Sequence, residues 1–360
     1  MNHQAVPIEI SATLEYSIEQ LLALYNDVFS EHSPANFFLS FEWISNWLIC
    51  AKHKPELITF SVNNKIIGFV FVGVRKTALG EVFYLNQSGN EQDDQIWIEY
   101  NDVICRERHQ NCRSALLNYI AEKPNCFQFI GINTIVEQWS TKPWSLWSNQ
   151  SVSGFSVQIS DKSSDAHFSK NTKSQISRSS SFIKKEYGEI EVTWLGASHI
   201  DAALNEMAET HIHQWGKHEY GSGFTNPKFV NFHKTLLQQG ITNSTHIAKF
   251  TAGEHSLGYL YFFTRGKKVY FYLSAINYQN ENNKYKPGLV MHKLALAHFK
   301  SLGYTEYDFL AGHARYKTSL SNHEYLLFSV KLYLNKWYYW PIKQLVNLKR
   351  LIKARFSKDA

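Results

Sequence analysis

The run Lys284, Tyr285, Lys286, Pro287, Gly288 stands directly before an apolar helical stretch at 289–302. A helix start of this kind offers unpaired backbone N–H groups and a partial positive charge, enough to hold a pyrophosphate. Gly288 lets backbone approach such a group closely, and Lys284 and Lys286 add positive charge. Asp308 lies in a short apolar strand, Tyr307-Asp308-Phe309-Leu310. Burying a carboxylate is costly, so an acid there needs a purpose. It is either a general base with a raised pKa, or a structural carboxylate that accepts backbone N–H groups or pairs with Arg315 or Lys317. Tyr316 and Lys317 follow Gly312. Lys317 could stabilise a developing oxyanion or grip a phosphate; Tyr316 could protonate a leaving group, or simply pack.

Other groups that could do chemistry are weaker. His211, His213 and His218 invite a metal reading, but residues two apart on a helix point to different faces and no carboxylate completes a set, so no metal is expected. His211 and Trp215 do share a face and could line a cleft. The four cysteines, Cys50, Cys105, Cys112 and Cys126, have no C-x-x-C spacing and read as reduced, mostly buried thiols.

These residues need a scaffold, and the chain repeats one. In the first half, strands at 57–62, 66–74 and 82–85 precede a helix at 113–121 and a strand at 127–130. In the second half, strands at 246–250, 257–264 and 269–274 precede the helix at 289–302, closed by Gly303, and a strand at 307–310. Two helices come before each meander, at 18–29 and 42–51, then at 200–215 and 227–239. Asn226-Pro227 is a good cap and first residue for the last of these. Between the halves lies a Ser- and Lys-rich segment containing Lys170, Lys173, Arg178, Lys184 and Lys185, read as a polar surface helix. The end of the chain is aromatic and basic, from Trp337 to Arg355.

The set formed by the Pro-Gly loop, Asp308 with Gly312, and Tyr316-Lys317 resembles GNAT-superfamily acetyltransferases of the CelD-like group, related to the FemAB aminoacyltransferases. Trp43 and Trp47 after Phe38-Leu39-Ser40, Tyr100-Asn101-Asp102, and the Ser/Lys segment ending at Gly188 agree with it. The resemblance covers about 36–333. It implies an α/β (α+β) protein with tandem GNAT-like domains, each a mixed, mostly antiparallel sheet flanked by helices. The expected divisions are 1–160, a connecting segment at 161–190, 191–334, and a tail at 335–360.

The activity implied is transfer of an acyl group to an amine. The expected donor is acetyl-CoA or another acyl-CoA, its pyrophosphate held by Lys284, Lys286, Pro287 and Gly288. The expected acceptor is a small-molecule amine, with a nucleotide- or lipid-linked amino sugar of surface-polysaccharide synthesis as the leading candidate. The alternatives are a FemAB-type transferase using aminoacyl-tRNA and a non-catalytic GNAT scaffold. The matching loop of the first half carries Glu91, Asp93, Asp94, Glu99 and Asp102, which would repel a pyrophosphate, and Gln128 stands where the second half has Asp308. One donor per chain is therefore expected, against the second half. The first half would contribute acceptor contacts, with Trp43 and Asn101 as candidates.

Composition sets the outer bounds. A length of 360 residues, 44% of them hydrophobic, suits two domains. A net charge of +6, from 37 basic and 31 acidic residues, is too mild for a dedicated nucleic-acid binder. No basic start followed by an apolar run opens the chain, and the apolar stretches are strand-sized. A cytoplasmic protein is expected, with the tail as a possible peripheral contact to the inner face of the membrane.

Overall fold

The structure is a computed structural model. It describes residues 7–29, 36–78, 80–106, 109, 111–124, 126–134, 143–159, 165, 167–216, 221–240, 243–280, 282–334, 340, 341, 344, 345 and 348, with the backbone only at 126–134 and 147–150. His218, most of the tail and the side chain of Gln128 lie outside this description.

The first half runs β1 (Glu9–Thr13), α1 (Ile18–Phe29), α2 (Phe41–Cys50), β2 (Glu56–Val62), β3 (Lys65–Thr77), β4 (Gly80–Leu85), α3 (Glu91–Asp94), β5 (Ile104–Cys105), α4 (Cys112–Ala121), β6 (Cys126–Thr134) and β7 (Trp144–Gln158). After α5 (Lys170–Tyr187), the second half runs β8 (Ile190–Trp194), α6 (Ile200–Trp215), α7 (Pro227–Gly240), β9 (Thr245–Ala252), β10 (His255–Arg265), β11 (Lys268–Ile276), α8 (Pro287–Ser301), β12 (Glu306–Ala311), α9 (Arg315–Leu320) and β13 (His323–Leu334). The repeat is therefore strand, two helices, a three-stranded meander, a helix and two more strands. Tight turns set the register of both meanders. Asn63 and Asn64, at φ 51° and 60°, join β2 to β3 with Val62 opposite Lys65. Such left-handed pairs match the twist of a hairpin, and asparagine tolerates them.

Among the described residues the strands form one mixed sheet, in the order β1-β2-β3-β4-β6-β13-β7-β12-β11-β10-β9-β8. Its centre exchanges strands between the halves. The last strand of the second half, β13, lies antiparallel between β6 and β7. The last strand of the first half, β7, lies between β13 and β12. Two pairings, β4 with β6 and β11 with β12, are parallel. The rest are antiparallel.

Three apolar clusters fill the layers. One is common to both halves and is built from α1, α2, α6 and α7 over β3, β10 and β11. There Phe37 stacks on Phe263 with centroids 4.4 Å apart, and Asn46 Nδ2 donates to the Phe232 carbonyl at 2.7 Å. The second packs α5 and α8 on the second half's sheet, and the third packs α4 on the first half's. Helix α5 is as polar as its Ser and Lys content predicts, yet it buries Thr172, Ile176, Ser179 and Ile183. Its cap is Ser169, whose Oγ accepts the Thr172 N–H at 3.0 Å. Ser169→Ala is expected to lower stability by ~1 kcal/mol, seen as a lower urea midpoint with an unchanged slope.

Candidate active site

Strands β11 and β12 part company early. They pair over Lys268 with Glu306, Val269 with Tyr307 and Tyr270 with Asp308. Beyond that point β11 continues beside β10 to Ile276, while β12 turns toward β7, with Ala311 opposite Gly154. The register slips between Asp308 and Ala311, and Leu310 within it has φ 61°. That conformation costs a leucine roughly 1–2 kcal/mol, so the surroundings must impose it. They do: Asp308 Oδ1 accepts the Leu310 N–H at 2.8 Å, and Lys317 Nζ donates to the carbonyls of Ala311 at 2.6 Å and Leu310 at 3.4 Å. In the first half, β4 ends at Leu85 and stays paired with β6 through Tyr84 and Ile130. Among the described residues it has no comparable fork.

The fork opens into a cavity of about 550 Å³. Ser274 and Ile276 line it from β11, Gly288, Leu289 and His292 from α8, and Arg315 and Tyr316 from α9. Gln214 and Trp215, at the end of α6, reach it from the other side. The start of α8 faces this space. Lys286 is the cap residue and makes no side-chain cap; Pro287 has no N–H to offer and the Leu289 N–H donates to the Lys286 carbonyl at 3.2 Å, so Gly288 carries the first-turn N–H nearest the cavity. Lys286 Nζ donates to Gln175 Oε1 at 2.6 Å and the Lys286 backbone N–H to Ser179 Oγ at 2.9 Å, which docks α5 against the loop. Pro287 opens the helix, and a Cβ on Gly288 would sit 2.9 Å from Tyr278 Oη and 3.1 Å from Ile276 Cδ1. Lys284 is exposed on the approach.

Asp308 is fully buried and fully occupied. Its Oδ2 accepts from Tyr100 Oη at 2.5 Å and lies 2.8 Å from Lys268 Nζ. Its Oδ1 accepts from Tyr325 Oη at 2.5 Å as well as from Leu310. The two phenol oxygens are 2.6 Å apart. Burial works against the Lys268 charge, but Asp308 and Glu306 outweigh it and leave its pKa raised. Burial, then Asp308, drives both tyrosine pKa values far up, so these phenols stay protonated donors. Asp308 is thus the structural carboxylate of the two alternatives, paired with Lys268 rather than with Arg315 or Lys317. A carboxylate with this many donors in place has no lone pair directed at a substrate.

Lys317 is buried, which lowers its pKa, and it is turned onto the two carbonyls beside the fork. Tyr316 stacks on His292 with rings 5.2 Å apart, and burial raises its pKa. His292 Nδ1 lies 2.8 Å from Tyr307 Oη. A further acid joins them from the first half. Burial pushes the Glu99 pKa to about 7, against the pull of Lys317. In the sequence it belonged to an acidic run, and no local signal separated it from Glu91 or Asp94.

Trp215 reaches the cavity, but His211 does not line it. His211 is buried, with Nδ1 2.8 Å from Ser222 Oγ and its ring packed on Phe224. Trp43 and Asn101 are not acceptor contacts, because both are completely buried. Trp43 packs among Phe38, Phe232 and Phe263, where its size fills the common core. Asn101 Nδ2 donates to the Leu85 carbonyl at 2.6 Å and its Oδ1 accepts from Asn86 at 2.8 Å, pinning the end of β4. Among the described residues, no group of three or more metal-ligating side chains stands together.

Burial also depresses six histidines among the described residues: His211 and His246 to about 4, His233 and His292 to about 3, and His255 and His298 in the same direction. Each stays neutral in the fold while the unfolded chain binds a proton near pH ~6.5. Their contribution is therefore complete above that value and lost as the pH falls toward 4 and then 3. Glu99 and Asp94, whose pKa values burial raises, work in the opposite sense over part of this range, two groups against six. The urea midpoint is expected to fall steadily between pH 6.5 and 4.5, and a flat profile would contradict the burial described.

The comparisons with known proteins agree with this geometry. Residues 170–318 match the family model described as an acetyltransferase (GNAT) domain. The match starts at the first residue of α5 and ends one residue past Lys317, so it takes in the α8 loop, β12 and the cavity. No curated protein matches the sequence. Among solved structures, the chain is similar to a conserved protein of unknown function from Bacteroides thetaiotaomicron, with TM-score 0.56, 10% identity, and 92% of this chain and 100% of that one covered. It is also similar to FemX, with TM-score 0.54, 11% identity and coverages of 89% and 96%. L-PGS from Bacillus licheniformis follows, with TM-score 0.50, 11% identity and coverages of 91% and 95%. At such identities the likeness is one of fold. Among the described residues, no helix is long and apolar enough to cross a membrane.

Proposed function

We propose that the chain takes an acyl group from a coenzyme A thioester, acetyl-CoA first among them, and passes it to an amine. The observation that carries this reading is the fork between β11 and β12, with the α8 N-terminus at its mouth. On the side facing β12, the backbone of β11 beyond Tyr270 has no strand partner among the described residues, although β10 pairs its other side as far as Ile276. Amide groups left open along a cavity wall suit a ligand that itself carries amides in an extended chain. The Gly288 N–H at the start of α8, with Lys286 and Arg315, suits the pyrophosphate at the far end. A pantetheine diphosphate meets both requirements. Because the first half has no fork, one donor binds per chain.

In the reaction the amine nitrogen forms a bond to the thioester carbonyl carbon as the carbon–sulfur bond breaks. Tyr316, a phenol kept protonated by burial, borders the cavity where the sulfur would leave. Lys317 acts through the β12 turn that it holds. The acceptor we favour is an amino sugar.

Differential scanning fluorimetry tests the donor class. Acetyl-CoA at 100 times its Kd should stabilise the chain by ~2.7 kcal/mol, with a matching rise in Tm. Free adenosine should not reproduce the shift. A shift with aminoacyl-tRNA and none with acetyl-CoA would move the reading to the FemAB type.

A further inference from the structure

The first half holds a cavity of its own, of about 590 Å³, and the acyl-transfer reading makes no use of it. We propose that this cavity docks an acidic peptide segment of a partner protein, which adds as a further strand to the free edge of β3.

The edge comes from unequal strand lengths. β3 has 13 residues and β2 has 7. They pair from Val62 opposite Lys65 to Glu56 opposite Val72, where β2 begins. On its other side β3 stays paired with β4 as far as Thr77 opposite Gly80. Among the described residues, β3 from Gly73 to Lys76 therefore has no strand on the side of β2. A strand edge of this kind offers its N–H and C=O groups to an extended peptide. The cavity lies along it. Val72, Val74, Arg75 and Lys76 line one part, and His53 and Lys54, just before β2, line another. That approach to β2 is held in place. Asp93 Oδ2 accepts the His53 N–H at 3.1 Å and lies 2.8 Å from His53 Nδ1, and Lys54 Nζ donates to the Tyr16 carbonyl at 3.3 Å. The groove is thus formed before a partner arrives, which keeps the ordering cost of binding low.

Charge selects the partner. The lining carries Lys54, Arg75, Lys76 and Lys123 against Glu56 and Glu81, and Lys123 lies 3.6 Å from Glu56. Arg75 and Lys76 are exposed on the open edge itself, with Val74, 42% exposed, beside them. The acid near Arg75 is Glu91, at 3.9 Å and almost wholly in solvent. Two such edges would repel each other, so a second copy of this chain is disfavoured as the occupant. A strand of opposite charge is attracted. Side chains of β3 alternate, so Val74 and Lys76 stand on one face and Arg75 on the other. An added strand that alternates acidic and β-branched residues can set its carboxylates toward Arg75 and its apolar side chains over Val74.

The test uses the full chain and, as probe, a fluorescein-labelled octapeptide of alternating valine and glutamate. Fluorescence anisotropy should show saturable binding that added salt weakens. Arg75→Glu combined with Lys76→Glu should weaken it at least ~10-fold, with an unchanged thermal melt because both side chains are exposed. The same peptide with lysine in place of glutamate should not bind. Hydrogen exchange should show new protection over residues 73–76 in the complex, where the edge is open. No binding of the acidic peptide overturns the proposal, as does binding without protection at 73–76. Equal binding of the lysine peptide would remove the charge selection and overturn it. Equal binding of polyphosphate, which has no amides to pair, would reduce the edge to a charged surface and overturn it too.

Discussion

Asp308→Asn should cost the fold ~3–5 kcal/mol, because it removes one member of a buried ion pair and leaves the other. Lys268 lies 2.8 Å from the carboxylate and would keep only Glu306, at 3.1 Å. Tyr100 and Tyr325 would each compete for an amide that accepts less strongly than a carboxylate. Those donors come from opposite halves and from the exchanged strand β13, so the damage should reach the joint between the halves. Urea unfolding followed by tryptophan fluorescence would show a lower midpoint and a looser transition. Activity should fall with stability and recover in part under stabilising conditions such as bound donor. A variant as stable as the parent yet inactive would return Asp308 to the role of base.

Gly288→Glu should weaken acetyl-CoA binding by at least ~100-fold while leaving the fold nearly intact. The carboxylate would project from the first turn of α8, where it suits the helix dipole. The new Cβ would meet Tyr278 Oη and Ile276 Cδ1, both in the cavity wall, so the longer side chain must enter the cavity. Tyr278 is half exposed and can swing away, which keeps the structural cost small. The negative charge would then occupy the place assigned to the pyrophosphate and repel it. Isothermal titration would read the loss, and a parallel thermal melt would show that the chain is folded. Unchanged affinity would remove the α8 N-terminus from the donor site.

The parts of this molecule legible in the sequence are those written locally. The two meanders followed from alternating residues and two-residue turns, and α8 from its Pro-Gly start, its apolar face and Gly303, at φ 81°. The short strands β1 and β8 were missed although their partial alternation was available. The exchange of β7 and β13 was not legible, because it pairs strands far apart in the chain and neither has a local mark of its partner. The same applies to Asp308. Its strand was recognised and its need for a partner was argued, but Lys268 lies on a neighbouring strand whose parallel register is set by the whole sheet. Trp43 was misplaced because a large aromatic suits a ligand cleft and a domain junction equally well. Glu99 was hidden for the opposite reason. It shares its charge with Glu91, Asp93, Asp94 and Asp102, and the charged groups that set it apart, Lys317 and Asp308, come from the other half.

The central claim is that one acyl-CoA donor binds per chain, in the β11–β12 fork of the second half. Calorimetric titration of the full-length protein with acetyl-CoA tests it most directly. The account predicts saturation at one equivalent per chain, with heat lost in Gly288→Glu. Saturation at two equivalents, or full binding in Gly288→Glu, would contradict it.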